Sequence, residues 1–131
     1  MPRVINRRNG NAARKRGDVK HYVGERTPEG CEVDVIDKDA PGGGYPLPAR
    51  FDLRNHSPTG YEWNYAGSGP AQLALALLAD ALGDDERAQD NYQDFKFKVV
   101  GRLPHDRWEL SQEDIVQTVA RLESQRGRRH G

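Results

Sequence analysis

The chain is short of most things from which a chemical site is usually built. Its 131 residues include one cysteine, Cys31, so no internal disulfide and no multi-cysteine zinc site can form. No run of about 18 apolar residues occurs, which excludes a hydrophobic helical membrane span. The opening Met1-Pro2-Arg3-Val4-Ile5-Asn6 lacks the apolar stretch of a secretory signal, and the expectation is a cytoplasmic protein. The four histidines, His21, His56, His105 and His130, are scattered singly with no HExxH-like pair, so neither a metal site nor a cofactor is expected. Ser68 lacks the flanks of a nucleophile elbow, and Cys31 sits inside an expected strand, where it reads as a buried, inert thiol.

Net charge is also absent, but the zero hides a division. Residues 1–20 hold Arg3, Arg7, Arg8, Arg14, Lys15, Arg16 and Lys20 against the single acid Asp18, a net of +6. Residues 121–131 hold Arg121, Arg126, Arg128 and Arg129 against Glu123, a net of +3, which leaves −9 for the middle. Basic ends therefore flank an acidic body. That asymmetry suits an anionic partner, and it equally suits ends that lie on the body itself. Apolar residues make up only 35% of the chain. They are concentrated in the middle, so residues 1–18 and 125–131 are expected to be disordered arms around one domain at 19–124.

Within that domain the patterning alternates before it turns helical. Val19–Gly24 reads as a first strand. Thr27-Pro28-Glu29-Gly30 reads as a turn, and Cys31–Ile36, with its period of two, as a second strand antiparallel to the first. Asp39–Pro46, with three successive glycines, reads as a flexible loop, and Leu47–Leu53 as a short extended segment. Tyr61, Trp63 and Tyr65 alternate, so a strand is expected there, with an ordered aromatic loop as the alternative. Pro70–Leu82 is a helix that is apolar nearly all round, ended by Gly83, and so should sit buried in the middle. Acidic Asp84-Asp85-Glu86 open a second helix with an apolar stripe of Ala88, Tyr92, Phe95, Val99 and Leu103. Trp108 and Leu110 mark a connector or strand. Ser111 caps a third helix, expected to run to about Glu123. The fold class predicted is α+β: a small, mainly antiparallel sheet with three helices, the first of them central.

Three groups of residues are candidates for chemistry. Gly67-Ser68-Gly69 before the first helix is a possible anion cradle, because helix N-termini present unbonded N–H groups. It lacks the Gly-Lys-Ser/Thr of a P-loop, and its alternative role is a tight turn that lets the helix pack closely. Asp52, Arg54, Asn55 and His56 form a polar cluster in which His56 is a candidate general base oriented by Asp52, or else simply part of a loop tied to its own backbone. Tyr61, Trp63 and Tyr65 suit either base stacking or core packing. Arg7, Arg8, Arg14, Lys15 and Arg16 in the arm are the nucleic-acid candidates.

The segments Leu53-Arg54-Asn55-His56-Ser57-Pro58-Thr59-Gly60-Tyr61-Glu62-Trp63 and Gly67–Asp80 resemble a family of small bacterial, archaeal and phage proteins known only as a domain of unknown function. Tyr22-Val23-Gly24, Arg26-Thr27, Tyr92–Lys96 and Arg102-Leu103-Pro104 extend the resemblance over about residues 20–120. The family's pattern has glycine where this chain has Asn64 and Ala66, a departure that matters if the turn needs positive φ. The resemblance implies occurrence on phages and other mobile elements, and it brings no activity, cofactor or catalytic residue.

The expected function is therefore a non-enzymatic binding or accessory protein with a protein partner, a counter-defence inhibitor being one form. Its surface would comprise Arg54, Asn55, His56, Glu62, Trp63, Gly67, Ser68 and Gly69. The alternatives are a nucleic-acid-binding protein that uses the arms, and a small enzyme acting on a phosphorylated or nucleotide substrate through Gly67–Gly69 and His56.

Overall fold

A computed structural model describes residues 20–130, with side chains through Gly127; the basic arm at 1–18 lies outside the described residues. The strands are β1 (Lys20–Thr27), β2 (Gly30–Asp37), β3 (Gly44–Pro46) and β4 (Arg107–Ser111). The helices are α1 (Ser68–Leu82), α2 (Asp85–Lys98) and α3 (Gln112–His130). The sheet is antiparallel throughout in the order β3-β2-β1-β4, so the fold is α+β as the patterning implies.

The β1–β2 hairpin forms about the Thr27–Gly30 turn. Thr27 Oγ1 donates to the Gly30 carbonyl at 2.9 Å, and Gly30 takes a φ of 126°. Both strands are longer than expected: β1 runs through Gly24 to Thr27, because its inward position is left vacant for the Trp108 ring. α1 is buried along almost its whole length, and Gly83 closes it in the left-handed region while donating to the Ala79 carbonyl. Leucines at 73, 75, 77 and 78 point in several directions around the axis, so α1 must be surrounded. The sheet, α2 and α3 surround it, and the core joins Tyr22, Val33 and Val35 to the α1 leucines, Phe95, Ile115 and Val119. α2 starts at an Asp84 cap that accepts from the Arg87 N–H.

Three expectations are corrected. Leu47–Leu53 is not a strand; the third strand lies earlier, in the glycine-rich segment, where Gly44 comes against the Val35 backbone at a φ of 157° that side chains rarely adopt. Tyr61–Tyr65 is an ordered loop, not a strand: Trp63 is buried, Tyr61 half-buried and Tyr65 exposed. α3 continues past Glu123 to His130. The pairs that fasten its far end come from α2: Arg87 to Glu123 at 2.9 Å, and Arg126 to Asp94 at 2.7 Å, with the buried Asn91 bonding Glu123 and accepting from Arg126.

Asn64 carries the backbone strain of the loop. Its φ is 77°, whereas Ala66 has no positive φ, so of these two positions only Asn64 needs a left-handed residue. Asparagine is the non-glycine residue best suited to that region. Here its side chain also donates to the Leu103 carbonyl at 2.8 Å, and its N–H to the Val100 carbonyl. Asn64→Ala is expected to lose about 2 kcal/mol through left-handed strain and one lost hydrogen bond. Asn64→Gly exchanges the bond for conformational ease and should stay within about 1 kcal/mol. Urea unfolding of the two variants checks the ordering, and equal losses would refute the strain argument.

Candidate functional site

The loop at 47–67 carries most of the candidate residues, and one buried side chain holds it. Gln72 lies one turn into α1 and is fully buried. Its Oε1 accepts from the His56 and Ser57 N–H groups at 2.7 and 3.2 Å, and its Nε2 donates to the Ala49 and Arg54 carbonyls at 2.7 and 3.0 Å. The amide thus replaces the partners that a strand or helix would have supplied to four loop backbone groups. Tyr61 Oη donates to the Leu47 carbonyl, and Ser57 Oγ to that of Gly60, which closes the loop on itself. At its entrance Arg50, with a φ of 59°, donates to both Asp52 and Asp85 and so ties the loop to the start of α2.

This clasp leaves Arg54 and Asn55 exposed. His56 is turned inward: its Nε2 stands 2.7 Å from Tyr92 Oη, and the two rings are tilted 46° apart. Burial, then the nearby Arg54 and Lys96 charges, holds its imidazole below the usual range, favouring the neutral ring. Asp52 is engaged by Arg50 and does not orient His56. Tyr65 and Phe97 are exposed at 52% and 58%, with Lys96 Nζ 4.2 Å from the Phe97 ring centroid. Tyr65 and Lys96 meet at Gly101, each placing backbone atoms within 3.4 Å of where a Cβ would stand. Arg54 and Lys96 both act on His56, and the Tyr65 and Lys96 backbones meet at Gly101, so the loop joins the end of α2 here, where Phe97 is also exposed.

The glycine turn is filled from within. A Cβ on Gly67 would meet the Tyr65 ring, and one on Gly69 would meet the Glu62 side chain. Gly69 is buried while Ser68 is exposed. The space over Gly69 is occupied by the Glu62 Cβ and Cγ and its backbone nitrogen. Glu62 is paired with Arg26 at 3.1 Å, and Arg26 lies 5.2 Å over the Trp63 ring. Trp63 is interior, 1% exposed: its Nε1 donates to the His105 carbonyl at 2.8 Å, and its ring stands edge-on to Trp108. Its contacts are those of a core side chain.

A second polar cluster was not foreseen. Asp80, on α1, accepts from Lys20 Nζ at 3.1 Å, Tyr22 Oη at 2.6 Å and Tyr45 Oη at 2.8 Å, beside a cavity of about 220 Å³ lined by Pro48, Arg50, Ala76, Ala79 and Asp80. Burial, with Asp80 next, raises the Tyr22 phenol far above the ordinary range, so it stays a donor. The signal for both hubs was present in the chain: Gln72 and Asp80 are the polar interruptions of an otherwise leucine and alanine helix. Burial, then the Glu62 charge, pushes the half-buried Cys31 thiol up to about 11, which disfavours its thiolate. Among the described residues no three His, Cys, Asp or Glu side chains gather as metal ligands, and no helix is long and apolar enough to cross a membrane.

Residues 22–121 match the family described as "Family of unknown function (DUF6166)". The chain belongs to that family. Both hubs, Gln72 and Asp80, and the whole clasped loop fall inside the matched span, whereas the basic arm falls outside it. No curated protein and no solved structure shows significant similarity to the chain.

Proposed function

We propose that this family member is a non-enzymatic binding protein whose contact surface is the clasped loop together with the end of α2. One observation carries the reading: a fully buried glutamine spends its side chain on four loop backbone groups, and the loop so fixed displays Arg54 and Asn55 to solvent. Long loops without regular structure are uncommon in small domains unless they serve binding or catalysis. A loop ordered in advance costs little entropy when a partner arrives. The side chains around it, Arg54, Tyr65, Phe97 and Lys96, combine aromatic area with positive charge. Aromatic residues and arginine are enriched at protein interfaces, which favours a protein partner with an acidic docking face. The resemblance to phage and mobile-element proteins makes an accessory or counter-defence role the natural setting.

Photo-cross-linking from position 55 in host cells, followed by mass spectrometry, tests the reading. One dominant partner is expected. Its capture should fall by at least about tenfold in Arg54→Ala/Tyr65→Ala, the loss of one or two interface hot spots, and should be unchanged in Gln117→Ala on α3. Equal capture by all three chains would remove the loop from the function. The second reading, nucleic-acid binding through Arg7, Arg8, Arg14, Lys15 and Arg16, is favoured by the +6 charge of residues 1–20. It requires affinity that collapses with salt, whereas loop docking through aromatic contacts requires less.

A further inference from the structure

β4 is the last strand of the sheet, and among the described residues no strand lies beyond it. One contact fixes the phase of its hydrogen bonds. The Arg26 N–H donates to the Asp106 carbonyl at 2.9 Å, one step past the Glu25–Arg107 pair. Bonded and non-bonded pairs alternate along an antiparallel ladder. Trp108 and Leu110 therefore direct their backbone groups to Gly24 and Tyr22, whereas Arg107, Glu109 and Ser111 turn theirs outward. Such a row is a template for one more strand. The opposite edge of the sheet differs: β3 pairs there with β2, and the Leu47 N–H continues the pairing by donating to the Val33 carbonyl.

Charges of one sign along an edge keep strands apart. The charges of β4 are of opposite sign and two residues apart: Arg107 and Glu109, whose half-exposed side chains meet at 2.7 Å. When two copies of β4 pair antiparallel about a two-fold axis, outward residues must meet outward residues. An axis centred on Arg107 or on Glu109 sets like charges opposite each other, which is destabilising. An axis centred on Trp108 sets Arg107 of each copy opposite Glu109 of the other. We propose that the chain pairs with a second copy of itself along β4 in this register, so that the two four-stranded sheets become one. Each Arg107–Glu109 pair then exchanges two backbone hydrogen bonds, and each guanidinium lies between its own Glu109 and that of the second copy. The five residues of β4 span only about 17 Å. Such a small contact makes a weak dimer that forms with rising concentration.

Sedimentation velocity of the full chain at low salt, over a series from micromolar to near-millimolar protein, tests the proposal. A monomer–dimer equilibrium is expected, and it should weaken as salt screens the charges. Arg107→Glu and Glu109→Arg each set like charges opposite each other at both symmetry-related pairs, and each should weaken association by about tenfold or more. An equimolar mixture of these two variants makes both pairs complementary again and should recover the dimer. Glu109→Pro removes an outward N–H that the β1 ladder does not use. Its fold should survive, as read by circular dichroism, while the dimer is lost. A chain that stays monomeric throughout the series, a dimer indifferent to these substitutions, or a mixture no more associated than its parts overturns the proposal. None of these outcomes bears on the loop surface, so the two proposals fail separately.

Discussion

Gln72→Leu is expected to lower the unfolding free energy by about 3–5 kcal/mol, the cost of four backbone groups losing their partner at a buried site. For a chain of this size that is a fall in Tm of roughly 10–20 °C. The volume and apolar character of leucine suit α1, so α1 itself should survive. The damage should appear in the loop: the His56 and Ser57 amides, now bonded to Oε1, should exchange far faster than those of Leu73–Leu78. Gln72→Glu separates packing from hydrogen bonding. It keeps the acceptor for both N–H groups but sets a second oxygen against the Ala49 and Arg54 carbonyls. Burial and those carbonyls favour the protonated acid, so its folded pKa lies above the unfolded value. The penalty is then smallest at acidic pH and grows as pH rises through the folded pKa. Urea unfolding at two pH values measures this. A Gln72→Leu chain with wild-type stability and an unchanged loop would remove the clasp from the account, and with it the basis of the proposed binding surface.

The parts of this fold that depend on neighbours in sequence could be read from it. Gly83 after an apolar run ends α1, Thr27–Gly30 makes the hairpin, and Asp84 starts α2, each through groups within a few residues. Misreadings arose where the deciding partner is far away. Tyr61–Tyr65 has the alternation of a strand, but its Asn64 N–H goes to Val100 and its Trp63 indole to His105, and the positive φ at Asn64 breaks the extended run. The polar end of α3 has no apolar stripe of its own beyond Leu122; it is fastened by Arg87, Asn91 and Asp94 from α2. At the candidate site the polar cluster was visible as composition, but its meaning was not. His56 looks chemical in sequence, whereas it is its backbone N–H, with that of Ser57, that Gln72 uses. The residue that organises the loop was hidden because a lone glutamine in a helix announces nothing about what it reaches.

Gly24→Ala should be strongly damaging, costing about 3 kcal/mol by overpacking and roughly 10 °C in Tm. A Cβ at Gly24 would overlap the six-membered ring and Nε1 of the Trp108 indole. Neither side has room to yield. β1 is held by β2 on one edge and β4 on the other, and Trp108 is itself on β4, 3% exposed, with its ring perpendicular to Trp63 at 5.4 Å. Trp63 in turn supports the Arg26–Glu62 pair and, through Glu62, the covered Gly69 turn. Strain at one strand position is therefore passed to the start of α1. Trp108→Phe provides the control. It removes the part of the ring that would collide, and it also removes an indole N–H that is buried without a hydrogen-bond partner, which offsets part of the lost packing. Gly24→Ala/Trp108→Phe should thus be more stable than the sum of the single losses allows, by about 1–2 kcal/mol of favourable coupling. Strict additivity in that cycle would mean the glycine is required for its backbone alone and not for the indole above it.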